Sequence, residues 1–507
     1  MMRSALIHIA LTTLCMAAAV QTAVAQQYDA AVRRNPWNEG VNRAGLREDS
    51  ISMSYAEVQF LKADGGMTDH SVSDDSWRAG VVTESMRHFG KISFAGRFAY
   101  DYQDGRNMCG SMFIHPGIYP VDIYEFTPGR KILENYAFTG GLSADLGREW
   151  RGGLHVDFAA DNYAKRKDLR HKNTRLDFEA APSVQWHRGG WRLGAAYIFS
   201  KNSERIEADE IGSTPDSYEA FFDKGLFYGE RALWDSNSIH LDENGIDAFP
   251  IHETVHGAAV QLQWRMLYGE AEYRRSAGET GEKGVMWHSF GGDAVRGKIA
   301  ASFGSAGGSM HFIRAYAEWS RRDNAESILV RETTGGVTNT EILGSVPIYA
   351  ERQMALRLEY EWMRAGSGVR AGADWNRRMR QSSLAYPQLR EQQSGWWNLW
   401  VDGRWASRHV ELSAGAWVRR GSLDESERTT TTAAASQTAY PSRLTEYAAW
   451  NAEYLTALRA GAKLGVRVNI VRGIYCEVSA RYEHGFRLTA VPQPNRVEYM
   501  AAVGWRW

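Results

Sequence analysis

From residue 50 onward the chain alternates apolar and polar side chains with a period of two, and the pattern persists to the C-terminus. Between Leu458 and Ile470, for example, Leu458, Ala460, Ala462, Leu464, Val466, Val468 and Ile470 alternate with Arg459, Gly461, Lys463, Gly465, Arg467 and Asn469. An extended strand sends these two sets to opposite faces, whereas a helix mixes them. Eighteen such segments can be counted, over 51–61, 77–88, 91–102, 137–146, 150–161, 176–187, 191–201, 255–265, 267–276, 294–303, 309–320, 350–362, 368–378, 396–405, 409–419, 457–470, 474–483 and 496–507. Most run 10 to 13 residues, longer than the ~5–6 of an ordinary globular strand. They match the ~9–11 residues that carry a tilted strand across a bilayer.

The connections alternate as well. Short turns such as His88-Phe89-Gly90, His187-Arg188-Gly189-Gly190 and Val471-Arg472-Gly473 close one end, and long polar connections, among them 103–136, 202–254 and 420–456, join the strands at the other. A β-sandwich has no reason to show that regularity. A transmembrane antiparallel β-barrel does, with short periplasmic turns and long extracellular loops. Trp186, Trp264, Trp362, Trp405 and Trp507 fall on the apolar stripe at the short-turn ends, and Tyr102, Phe199, Tyr273, Trp319, Trp375 and Tyr482 fall on it at the long-loop ends. On a barrel these form two aromatic girdles, one at each membrane interface. The fold expected is all-β, a barrel of about 18 strands over residues 50–507.

Mean hydropathy, at −0.44, argues on its own for a soluble multidomain protein. The barrel removes the conflict, because half of every strand faces a polar lumen, while the 19 Trp and 23 Tyr supply girdles. With 59 Lys+Arg against 60 Asp+Glu, no basic excess exists to neutralise a phosphate backbone, which excludes nucleic acid as a partner. The only long apolar run is at the N-terminus: Arg3, then Ala5 to Val20, then Ala23-Val24-Ala25. It reads as a signal peptide over 1–25, leaving a periplasmic or lumenal segment at 26–49 and a bacterial outer-membrane location. Removing Cys15 with the leader leaves Cys109 and Cys476, too few and too far apart for a disulfide framework.

The ending Val503-Gly504-Trp505-Arg506-Trp507 is similar to the aromatic-terminated last strand by which outer-membrane barrels are recognised for assembly. With Arg34-Asn35-Pro36-Trp37-Asn38 and Gly40-Val41-Asn42-Arg43-Ala44-Gly45-Leu46 ahead of the first strand, the chain resembles a Bacteroidota family of outer-membrane β-barrels known only as a domain of unknown function. The resemblance implies location and fold and carries no activity, ligand or site residues. Asn42 to Leu46 also resembles, faintly, the Asn-Pro-Ala-Gly stretch of the long-chain fatty-acid channels, with Arg43 in place of proline. The resemblance to that family implies a lumen plugged by the N-terminal segment, though its fourteen strands fall short of the count here.

His252-Glu253-Thr254-Val255-His256 fits the H-E-x-x-H of zinc proteases, which needs a helix to bring both histidines to one metal. Here a period-two strand follows, and an extended chain separates the two by about 13 Å against Zn–N bonds near ~2 Å, so no metal site is expected. Asp242 to Asp247 partly matches a calcium loop but lacks its spacing and closing glutamate. The 202–254 connection also carries Tyr218 to Phe222, Leu226 to Tyr228 and Ala232 to Trp234, apolar enough to predict a short helix folded over or into the barrel mouth.

Function is expected on the inward face. Asp157, Asp161, Asp177 and Glu179 project there from neighbouring strands as an acidic wall, Arg459, Lys463 and Arg467 as a basic stripe, with Arg357 and Glu359 between. Opposed walls of unlike charge orient polar solutes crossing a pore. No nucleophile constellation, carboxylate pair or phosphate loop stands out, so neither catalysis nor a cofactor is expected. The reading favours a channel or transporter for small polar solutes in contact with membrane lipid. Two alternatives stay open: an occluded binding or scaffold barrel partnering a surface lipoprotein or a separate energy-coupled transporter, and a fatty-acid-channel-like hydrophobic transporter.

Overall fold

The computed structural model describes residues 35–507 except 39, 49–51, 168, 210–217, 235–245, 283–284, 305–307, 336, 365, 384–387, 430–441 and 472. The expected signal peptide and the calcium-like stretch Asp242 to Gly245 lie outside the described residues. In chain order the strands are β1 (Met53–Asp64), β2 (Asp75–Phe89), β3 (Ile92–Ser111), β4 (Asp122–Asp145), β5 (Trp150–Lys165), β6 (Arg170–Arg188) and β7 (Trp191–Asp209). Then come β8 (Tyr218–Asp223), β9 (Gly229–Trp234), β10 (Ile246–Trp264), β11 (Leu267–Glu282), β12 (Val285–Gly304) and β13 (Ser309–Thr334). The remainder are β14 (Val337–Arg364), β15 (Ser367–Ser382), β16 (Gln388–Ala406), β17 (Val410–Thr429), β18 (Leu458–Val471), β19 (Ile474–Phe486) and β20 (Asn495–Arg506). One helix, α1 (Ser442–Thr456), precedes β18, and two 3₁₀ turns, Pro36–Asn38 and Arg43–Glu48, precede β1.

Eighteen strands close into a single antiparallel barrel: each pairs with the next, β7 pairs with β10, and β1 pairs with both β2 and β20. Closure leaves no edge strand. The seam is in register from Tyr55 opposite Arg506 to Asp64 opposite Val497, and Ser54 and Trp507 exchange both backbone hydrogen bonds, at 3.2 and 3.1 Å. At the short-turn end every strand boundary falls within two residues of its sequence-predicted place. At the long-loop end most strands run on; β14, expected over 350–362, begins at Val337. Where a turn needs left-handed backbone, glycine supplies it, as at Gly189 (φ 59°) and Gly473 (φ 85°).

The barrel is apolar outside. Ile299 and Leu464, each 66% exposed, are typical of a continuous belt of outward leucine, isoleucine, valine and phenylalanine. Trp264, Trp405 and Trp507 are exposed at its short-turn edge, with Trp186 and Trp362 half-buried on the same face. Trp150 faces Trp186 across β5–β6, and Trp191 stacks on Trp264 at 5.7 Å, so the aromatic row is continuous there. Tyr273, Trp319, Trp375 and Tyr482 line the other edge.

Candidate functional site

Two structures obstruct the lumen. At the short-turn end, residues 35–48 lie inside the barrel against β3 to β7 and β10 to β12. Trp37, Ala44 and Leu46 are almost wholly buried there. Trp37 donates from Nε1 to Gln263 Oε1 at 2.6 Å and meets Tyr268 edge-on at 5.5 Å. Asn42 Nδ2 donates to Gln261 Oε1 at 2.8 Å and to the Val184 carbonyl at 3.1 Å. Arg47 pairs with Asp145 at 2.9 Å, and Glu48 pairs with Arg192 at 2.6 Å and with Arg151. This segment is a small plug that fills one side of the lumen and leaves the β13–β20 side open.

At the long-loop end, β8 and β9 form a hairpin whose first strand pairs with β4, Asp122 opposite Asp223 through Glu125 opposite Ala220. Among the described residues of this connection the expected helix is replaced by strands. Aromatic side chains here meet the edge of β4 beyond its pairing with β5, and pairing with that edge satisfies backbone groups of both segments. The hairpin tip crosses the mouth: Lys224 pairs with Glu326 on β13 at 2.5 Å, and Arg390 on β16 donates to the Leu226 carbonyl at 3.0 Å. Leu226 and Phe227 adopt left-handed backbone (φ 55° and 60°), a conformation that persists only where surrounding contacts over-determine it. Beneath the hairpin, Met112, Phe113, Val121, Ile123, Ile206, Phe222, Ile251 and Phe290 belong to one buried apolar cluster.

The described helix in the lid comes from the 420–456 connection instead. Tyr447 packs on Phe126 and donates to Cys109 Sγ at 2.8 Å. Glu453 accepts from the backbone N–H groups of Thr489, Ala490 and Val491 at 2.6 to 2.7 Å. Burial pushes the Glu453 carboxyl up, but these donors outweigh it and hold the group below the usual range. Asp223 behaves oppositely: burial beneath the hairpin pushes it up to about 7, despite the Gly225 N–H and the nearby Arg380.

Between plug and lid the charged residues are matched pair by pair. Of the acidic wall, Asp161 and Asp177 share Arg175 at 3.0 and 2.6 Å, and Glu179 pairs with Arg274 at 2.5 Å. Asp157 meets His155 at 2.7 Å, and Arg43 of the plug donates to the other nitrogen of that ring at 3.0 Å. Of the basic stripe, Arg459 pairs with Glu483 at 3.1 Å, Lys463 with Asp402 at 2.7 Å and Arg467 with Glu477 at 2.5 Å. Arg357 pairs with Asp374 at 2.5 Å, and Glu359 with Arg314 at 2.7 Å. The two expected walls thus do not present opposed uncompensated fields, because each carries its own counter-charges. Arg175, Asp402 and Glu483 are counter-charges the sequence reading missed; Arg175 sits one place before the expected strand 176–187, on the inward face.

A second missed feature is aromatic. Trp400 and Trp417 point inward opposite one another across β16–β17. Trp400 lies flat over Gly372, Trp417 over Gly461, and a Cβ on either glycine would collide with the ring. Filling a strand glycine with a cross-strand aromatic is itself a way to stabilise a barrel wall. Trp417 had been visible in the sequence as an exception on a polar stripe.

Ligand-type atoms of His155, Asp157 and Glu179 lie within 4.8 Å of one another. Two guanidiniums, those of Arg43 and Arg274, already occupy their lone pairs. The H-E-x-x-H histidines sit on β10 with both side chains on its exposed outward face. Among the described residues neither Cys109 nor Cys476 is in a disulfide.

Two cavities remain in the open half. One of about 570 Å³ lies toward the short turns and is lined by Arg370, Asp402, Lys463, Arg467 and Glu477 among others. The other, of about 500 Å³, abuts the plug at Gly40 and Val41 and is lined by Glu272, Arg274, Lys298, Arg357, Asp374 and Trp396 among others.

A closed eighteen-strand barrel with an apolar outer face and an ion-paired lumen defines the structural class. Within it, the chain belongs to a family of unknown function, DUF6850, whose pattern matches residues 43–506. No curated protein matches the chain. Among solved structures it is similar to BauA, the ferric preacinetobactin receptor from Acinetobacter baumannii, at 6% identity, 90% of this chain and 80% of that one, with a TM-score of 0.38. Against the ferric enterobactin receptor mutant R480A (PfeA) from Pseudomonas aeruginosa the figures are 8%, 90%, 81% and 0.39. Against OccAB2 from Acinetobacter baumannii they are 7%, 90%, 97% and 0.35.

Proposed function

We propose that this chain is an outer-membrane barrel that passes small polar solutes when its lid and plug give way. The outward apolar belt and its two aromatic edges support that membrane, with short turns periplasmic and long loops outside, in the Bacteroidota setting the sequence resemblance implies. The observation that carries the transport reading is the pair of ion-lined cavities, about 570 and 500 Å³, on the side that the plug leaves free. A barrel of 16–18 strands is wide enough for an aqueous path once loops are displaced. Polar linings favour polar solutes over the hydrophobic cargo of a fatty-acid-type channel.

The test is conductance in planar bilayers, comparing the intact chain with one in which residues 218–234 are replaced by a Gly-Ser linker. Low conductance that rises on deletion supports a gated path. Unchanged low conductance would remove the lid from the argument. It would favour the second reading, an occluded barrel serving a surface lipoprotein or an energy-coupled transporter, which the apolar cluster sealing the mouth already supports. The proposal assigns no catalysis; turnover of lipid or peptide in detergent, abolished by one lumen substitution, would overturn that part.

A further inference from the structure

The pairing is incomplete where β17 meets β18. On β17 and β18, Arg419 and Arg459 are direct cross-strand partners on the inward face. Directly opposed side chains sit about 5 Å apart at Cβ, and like charges there destabilise a sheet. Arg459 is 97% buried and has one carboxylate, Glu483, at 3.1 Å, a group that also serves Arg481 at 3.4 Å. Among the described residues no carboxylate pairs with Arg419. Among the same residues no carbonyl or carboxylate accepts from Arg419 Nε, nor from Arg459 Nε and Nη2, although all three atoms are out of contact with solvent.

Nothing about the two side chains is loose. The Arg419 guanidinium stacks on Trp396 at 4.1 Å and that of Arg459 on Tyr454 of α1 at 4.2 Å. Stacking fixes the plane of each fork and leaves its N–H edges free to take planar or tetrahedral oxygen acceptors. Trp396, the ring on which Arg419 stacks, also lines the cavity of about 500 Å³. Burying unpaired donors is costly, more so when they are charged, and that cost is recovered when an acceptor arrives.

We propose that Arg419 and Arg459 form a lumenal binding site for the oxyanion group, phosphate or carboxylate, of a small solute. This rests on the reading of the lumen as a solute path and names the chemical class it takes. The exposed Arg420, next along β17 and on the outward face, provides a control on the same strand.

The experiment is isothermal titration calorimetry on the detergent-solubilised full chain, with sodium phosphate and sodium acetate as separate titrants, at constant ionic strength. Saturable binding of either titrant, weakened at least tenfold by Arg419→Gln and by Arg459→Gln but not by Arg420→Gln, is the expected result. Which titrant binds more tightly distinguishes the two oxyanions. No saturable binding to the wild-type chain, or equal binding by Arg419→Gln, overturns the proposal. Arg419 has no ion pair to lose, so its variant keeps the test decisive if Arg459→Gln does not fold. Because no flux is involved, binding with flat conductance after lid deletion would fail the transport reading alone. Conductance without binding would fail this site alone.

Discussion

Trp37→Ala should unseat the plug. The indole is 1% exposed, donates to Gln263 and packs edge-on to Tyr268. Truncating a buried tryptophan to alanine costs about 3–5 kcal/mol, the upper end applying where the hole cannot relax. Here a cavity of about 190 Å³ already borders Pro36, Gln263 and Tyr268, so water can enter and resolvate the Gln263 amide. That places the expected loss near ~3 kcal/mol, which at ~1.4 kcal/mol per decade is about a hundredfold in the seating equilibrium. Hydrogen–deuterium exchange over residues 36–48 reads this directly, as an increase of about a hundredfold in exchange rate with the barrel strands unchanged. An increase below about tenfold would refute the reasoning. It would mean that the polar contacts of Asn42, Arg47 and Glu48 hold the segment without the indole.

Asp223 should make the lid pH-sensitive. Its folded value of about 7 stands above the unfolded 3.8, so the stability it contributes is complete below about 4 and lost as pH rises through 7. Cleavage of the hairpin by added protease should increase from pH 5 to pH 8, by at most ~3 kcal/mol in docking free energy, and Asp223→Asn should flatten the profile. Glu453, held low, has the opposite sign: its anchoring is present above its unfolded value of 4.5 and fades as pH falls through the lower folded value. Glu453→Ala should free α1 at neutral pH, costing about 1.5–3 kcal/mol for each charged hydrogen bond lost, read as proteolysis within 442–456. Glu125 forms an ion pair with Lys131 at 3.1 Å and accepts from Lys165 at 2.5 Å, with all three side chains no more than 1% exposed. Glu125→Gln should destabilise the long-loop end by about 3–5 kcal/mol in denaturant-dependent proteolysis, and replacing both lysines by methionine as well should recover most of it.

Period-two alternation determined the barrel, the number of its wall strands and which stripe of each strand faces out, because an apolar outer face and a polar lumen impose a two-residue period on any strand that separates them. The same constraint explains where the reading stopped. Past the apolar belt the alternation is no longer enforced, and β13 and β14 continue for many residues beyond their expected ends. The charges of the two walls were legible but their partners were not: Asp161 meets Arg175, and Lys463 meets Asp402, through register and side-chain reach that no single strand encodes. Neither the plug's seat nor the β8 hairpin's crossing of the mouth could be read locally. Each depends on contacts between segments more than a hundred residues apart, as with Trp37 and Gln263 or Tyr228 and Glu427. Sequence alone determined the wall and which of its faces is apolar; the tertiary structure decided what fills it, because the filling is set by which distant surfaces closure brings within reach.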